Sequence, residues 1–141
     1  GGLSAQLAPD IDSPSTWAPG VMNAPAILRE LEDHIANWRP ERAAEVINLT
    51  LLPLSPEDLD LIEQRLGLGS ILILSRGYGN CRISLTAQPL TWRVSYFNSQ
   101  DSLILNTVEV TDIPEVACAA REDLEDSQER LADLLHWVQG A

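Results

Sequence analysis

The clearest pattern in the chain lies between residues 71 and 110. A short apolar run occupies 71–74. Cys81, Ile83 and Leu85 then alternate with Arg82, Ser84 and Thr86, and Trp92, Val94 and Tyr96 alternate with Arg93, Ser95 and Phe97. A two-residue period over such runs predicts half-buried antiparallel strands. The breaks at 77–80, 87–91 and 98–102 are short, so they predict hairpins and a meander that closes with a strand over 103–110.

The flanks carry a different period. Leu28, Leu31, Ile35 and Trp38 form an apolar stripe at helical spacing over 26–38, and Arg39-Pro40 ends it. Residues 45–52 read as a short strand stopped by Pro53. Ser55-Pro56-Glu57-Asp58 starts a helix, with Ser as N-cap, Pro at the first position and acids in the first turn. That helix turns Leu59, Ile62 and Leu66 inward and stops at Gly67 or Gly69. Strand, helix, strand is the pattern of a parallel crossover. From Asp112 and Pro114 a long helix begins, with a break expected near 122–125. Val116, Ala120, Leu124, Ser127, Leu131, Leu134 and Val138 recur along it every three or four residues.

These elements assemble into an α+β domain. It has a mixed, mostly antiparallel sheet of about five strands, β-α-β followed by a meander, with helices packed on one face. The other face is expected to present Arg82, Ser84, Thr86, Arg93 and Ser95, with Phe97 as a further candidate. Residues 1–25, rich in Pro, Gly and small polar residues, read as a flexible N-terminal arm, and 26–141 as a single domain. Trp17 is the arm's one aromatic, which either docks the segment onto a body or a neighbour or stays simply exposed.

Charge narrows the function classes. The chain carries 21 acidic residues against nine basic ones, all arginine, for a net charge of −12. Nucleic acid and anionic membrane surfaces would be repelled, because affinity for either comes from neutralised phosphates. No run approaches the ~20 apolar residues of a membrane helix, so no membrane insertion is expected. The start shows no basic segment followed by an apolar core, so no export signal is read there. The two cysteines, Cys81 and Cys118, have no CxxC spacing, which signals neither zinc nor a disulfide framework and suits a reducing cytoplasm. His34 and His136 both fall on helices, and no nucleophile–base arrangement is legible.

Two turn segments concentrate the remaining chemistry. Gly77-Tyr78-Gly79 allows a tight reversal between Arg76 and Asn80. Cys81 opens the next strand. It reads as a small buried hydrophobe, with a reactive thiol as the alternative because Arg76 and Arg82 stand near it. Asn98, Gln100 and Asp101 form a polar loop in which Asn and Asp cap turns or offer hydrogen bonds to a partner. One strand separates the two connections in a meander, so both emerge at the same edge of the sheet. Arg76, Tyr78, Asn80, Cys81, Arg82, Asn98, Gln100 and Asp101 are therefore the candidate partner-binding residues. No catalytic residue, metal site or cofactor is expected.

Several multi-residue motifs recur in order over residues 26–138. They are Asn48-Leu49-Thr50-Leu51-Leu52-Pro53, Ile73-Leu74-Ser75-Arg76-Gly77-Tyr78-Gly79-Asn80-Cys81-Arg82, Tyr96-Phe97-Asn98-Ser99-Gln100-Asp101, Leu105-Asn106-Thr107, Glu109-Val110 and Pro114-Glu115-Val116. This set resembles the C-terminal conserved region of the HupH/HyaF family of nickel–iron (NiFe) hydrogenase expression proteins. The resemblance implies a non-enzymatic, cytoplasmic accessory protein for maturation of a membrane-bound uptake hydrogenase. In that role it would be a chaperone that binds the iron–sulfur small-subunit precursor alongside other maturation accessory proteins. The competing readings are a small redox or sulfur-handling enzyme using Cys81, and a generic protein-interaction scaffold.

Overall fold

The computed structural model describes residues 17–76, 79–119 and 121–140. The chain runs α1 (Ala24–Asn37), β1 (Glu45–Asn48), a 3-10 turn (Leu49–Leu51), α2 (Pro56–Leu66), β2 (Leu72–Ser75), β3 (Asn80–Leu85), β4 (Thr91–Phe97), β5 (Leu103–Val110), a second 3-10 turn (Glu115–Ala117) and α3 (Arg121–Gly140). Five strands form one sheet in the order β1-β5-β4-β3-β2. The α+β class and the meander follow the sequence pattern. Every pair is antiparallel, so the sheet is not mixed. β1 and β2 do run the same way, as a crossover requires, but they lie at opposite edges. β5 returns to sit beside β1 because Ile47 and Val108, opposite each other in register, share one apolar layer with the helices.

The start of α2 fastens the helical layer. Ser55 Oγ accepts from the Asp58 N–H at 3.0 Å and Asp58 Oδ2 from the Ser55 N–H at 3.1 Å, closing a capping box. The other oxygen, Oδ1, accepts from the N–H groups of Met22, Asn23 and Ala24 at 2.8, 3.0 and 3.0 Å. These are orphan donors at the start of α1, whose own N-cap residue, Asn23, makes no side-chain cap. One carboxylate therefore caps two helices. It replaces Leu59 as the inward residue of that turn: Asp58 is fully buried, whereas Leu59 is 36% exposed.

Ala24, Ile27 and Leu31 of α1 and Ile62 and Leu66 of α2 pack on Ile47, Val108 and Val110. Val21 and Pro25 are also buried and Trp17 packs against this cluster, so the segment expected to be a flexible arm is tied to the core at these positions. Residues 1–16 lie outside the described residues. The expected strand over 45–52 stops at Asn48, whose side-chain oxygen accepts from the Thr50 N–H at 3.0 Å and turns the chain. After α2 the chain passes tightly against β3. A Cβ on Gly69 would sit 2.6 Å from the Thr86 carbonyl oxygen, so only glycine fits there.

The two faces differ from expectation. Arg93 stands opposite Val108, so Arg82, Ser84, Arg93 and Ser95 lie on the same face as α1 and α2, not on the open one. Thr86 lies on neither face. It is buried in the β3–β4 turn, where its hydroxyl donates to the Thr91 carbonyl at 2.8 Å. Cys81, Ile83, Trp92 and Val94 form a second core on the opposite face, roofed by Val116 and Ala117. The expected long helix is instead the 3-10 turn Glu115–Ala117 followed by a separate α3 from Arg121, so the interruption lies ahead of the expected 122–125, and α3 contributes no residue to either core. From Glu122 to Gly140 every side chain but Asp123 and Ser127 is exposed.

Burial alone would raise the Asp58 pKa, but the backbone N–H groups of Ala24, Met22, Ser55 and Asn23 outweigh it and hold the carboxyl below its ordinary 3.8. Asp58→Ala should destabilise the fold by about 3 kcal/mol or more, measured by urea unfolding, because four amides lose a charged acceptor. A carboxylate with a lowered folded pKa stabilises fully above its unfolded value and loses that contribution as pH falls through the folded one. The stability difference between wild type and Asp58→Asn should therefore hold from neutral pH down to about 4 and shrink below it.

Candidate functional site

The meander brings the two turn segments together at one end of the sheet. The Asn80 side-chain amide donates to Asp101 Oδ1 at 3.4 Å across the gap between them. A pocket of about 280 Å³ opens there, lined by Leu74, Ser75, Arg76, Asn80, Cys81, Arg82, Phe97 and Asp101. Five of the eight sequence-predicted residues thus share one cavity. Tyr78, with Gly77, lies outside the described residues.

Asn98 and Gln100 are placed differently. Asn98 Oδ1 accepts from the N–H groups of Gln100 at 2.9 Å and Ser102 at 3.0 Å. The Asp101 N–H donates to the Asn98 carbonyl at 3.0 Å, and Asp101 takes a positive φ of 60°. Asn98 is thus the internal brace of its own loop, and Gln100 is exposed on the loop without lining the pocket.

Cys81 pairs with Tyr96 across the sheet and belongs to the second core, with 7% of its surface exposed. Burial, and then the nearby Glu109 carboxylate, push its thiol pKa up. A raised thiol pKa suppresses thiolate, which agrees with the expected buried hydrophobe and speaks against the alternative of a thiol activated by Arg76 and Arg82. Among the described residues no group of three or more His, Cys, Asp or Glu side chains could hold a metal ion. His34 stays on the surface of α1, 3.3 Å from Glu30 Oε1 and 4.0 Å from Glu45 Oε2.

Sequence reasoning passed over Glu109. It is 8% exposed, beside Thr107, whose hydroxyl donates to it at 3.5 Å. Burial raises its pKa above the ordinary 4.5; the Thr107 hydrogen bond lowers it and Glu115 raises it further. It lines a groove of about 590 Å³ between β1, β5 and the segment leading into α3, together with Val46, Tyr96, Leu105, Val116 and Asp123. The available signal was an acid alternating with threonine between apolar strand positions. The exposed stripe of α3 was visible as a pattern but not as a surface: Leu124 is 59%, Leu131 60%, Leu134 59% and Val138 72% exposed. Among the described residues no helix is long and apolar enough to cross a membrane.

Comparison with known proteins gives this architecture a context. A family described as "HupH hydrogenase expression protein, C-terminal conserved region" matches residues 21–138. The hydrogenase expression/formation protein HoxQ of Cupriavidus necator is 63% identical over 119 residues, covering 84% of this chain and 42% of that protein. The hydrogenase-1 operon protein HyaF of Escherichia coli is 35% identical over 132 residues, covering 94% of this chain and 43% of that protein. The chain thus spans about two-fifths of the length of the curated relatives it matches. The solved structure of the hydrogenase expression protein HupH from Thiobacillus denitrificans superposes with a TM-score of 0.74 at 28% identity, covering 80% of this chain and 94% of that one.

Two outcomes follow from the burial of Cys81 and Glu109. Iodoacetamide should modify exposed Cys118 at least about tenfold faster than Cys81 in the native state, and the two should equalise in urea, as followed by peptide mass mapping. A raised folded pKa means that ionised Glu109 costs stability at neutral pH, and that the cost is relieved as pH falls through the folded value. Glu109→Gln should therefore raise the melting temperature at pH about 7.5, and the gain should vanish near pH about 4.5.

Proposed function

The chain belongs to the HupH family of hydrogenase expression proteins, and on that premise we propose that it is a cytoplasmic accessory protein in the maturation of a membrane-bound nickel–iron uptake hydrogenase. In this reading it is a non-enzymatic chaperone that binds the iron–sulfur small-subunit precursor and works beside other maturation proteins.

The observation that carries a binding role is α3. Twenty residues of amphipathic helix present an apolar stripe that the rest of the described chain leaves uncovered. Side chains of this size are exposed together where a protein meets another protein. The acidic opposite face, with Glu122, Asp126, Glu129 and Asp133, keeps the helix in water until a partner arrives. The pocket at the sheet end, with Arg76, Asn80, Arg82 and Asp101, is the second proposed contact. The redox alternative has no such support, because the Cys81 thiol is buried and poorly ionised.

The test is capture of the tagged small-subunit precursor co-expressed with this chain. Leu131→Asp with Leu134→Asp should lower capture at least about tenfold while stability stays within about 0.5 kcal/mol, since exposed positions tolerate such changes. Undiminished capture by this variant would remove α3 from the interface, and no capture by the wild type would overturn the reading.

A further inference from the structure

Among the described residues β2 is an edge strand whose one strand neighbour is β3. Proteins guard such edges with charge, proline or bulges, because the outer row of backbone groups pairs readily with another chain. This edge has none of these guards. Residues 68–75 carry no charge and no proline. Leu68 is 88%, Ile71 45%, Leu72 53% and Leu74 66% exposed.

The register shows which backbone groups are open. The Leu85 N–H donates to the Ile71 carbonyl at 2.9 Å, and Ile73 pairs with Ile83 and Ser75 with Cys81. In an antiparallel ladder of that phase, Ile71, Ile73 and Ser75 turn their backbone groups to β3, and Leu72 and Leu74 turn theirs outward. The outward-facing row ends at the 280 Å³ pocket, where Arg76 and Arg82 stand with Asn80 and Asp101. Among the described residues neither guanidinium makes a hydrogen bond or ion pair, while Asp101 already accepts from Asn80. In a chain of net charge −12 this pocket places two arginines against one carboxylate. Two guanidinium forks at the end of an open strand suit a carboxylate.

We propose that β2 is a docking edge for an extended, apolar peptide segment that carries a carboxylate. The segment adds to the sheet through the outward backbone groups of Leu72 and Leu74, with their exposed side chains as its apolar contact, and Arg76 and Arg82 hold the acid. This is strand addition with a charge-reading end. It supplies the contact chemistry of the client-binding role proposed above and rests on that reading.

Fluorescence anisotropy with two labelled peptides tests it: an amidated strand of alternating valine and threonine ending in aspartate, and the same strand ending in asparagine. The aspartate peptide should bind at least about tenfold more tightly, and the preference should fall as salt rises. Arg76→Ala and Arg82→Ala should each erase most of the preference, with the lysine substitutions restoring part of it. Leu74→Pro costs no bond to β3, because that N–H points outward, and it should weaken binding of both peptides. If Leu74→Pro does not fold, Leu72→Ser with Leu74→Ser serves instead, removing the apolar contact without adding charge. Equal affinity for the two peptides, binding of neither, or full binding by a folded edge variant overturns the proposal. Precursor capture without an aspartate preference refutes this chemistry and leaves the chaperone reading standing. An aspartate preference without precursor capture supports the docking edge and removes the precursor as its client.

Discussion

Everything in this fold turns on how β4 lies against β5. On the face under α1 and α2, β5 presents Val108 and Val110 while β4 presents Thr91, Arg93 and Ser95. On the other face β4 presents Trp92, Val94 and Tyr96 while β5 presents Thr107 and Glu109. The two strands have opposite polarity, and their register sets apolar beside polar on both faces. Neither face can be wholly covered or wholly open. The sheet therefore carries two small cores, one per face, offset across its width.

That offset creates charged residues at the seams. Arg93 lies beside Val108, with its guanidinium donating to Asn106 Oδ1 at 3.2 Å, and burial lowers its pKa against the pull of Glu63 on α2. Glu109 lies beside Trp92 on the other face, and burial raises its pKa. Both shifts disfavour the charged form, as desolvation requires. Because the two groups lie on opposite faces, a sheet with one dry face and one wet face would have left only one of them in water. The two cores take up the helices α1 and α2 and the short turn at Glu115–Ala117, and no side chain of α3 belongs to either.

Two of the uncovered surfaces suit contact with another protein. One is the apolar stripe of α3; the other is the uncharged edge of β2, which leads to the arginine-bearing pocket. Cys81 and Glu109, buried on the second face, are both held toward the protonated form by burial. This distribution agrees with relatives named for hydrogenase expression and formation.

The sequence by itself determined what depends on near neighbours. The period-two runs marked β3 and β4, Ser55-Pro56-Glu57-Asp58 marked the start of α2, and short turns implied a meander that sets Asn80 near Asp101. Local rules suffice there, because hairpins and caps are closed by residues a few positions apart. The motif set carried the family in the same way. Only the tertiary structure decided that Asp58 also caps α1 from 34 to 36 residues away, that Arg93 lies under the helices, and that α3 stands clear of the sheet. An amphipathic stripe states that a helix face avoids water, but not which surface covers it. An alternating strand likewise has two faces until a neighbour's register assigns them. Those choices rest on the pairing of β4 with β5 and of β5 with β1, contacts that no local period encodes.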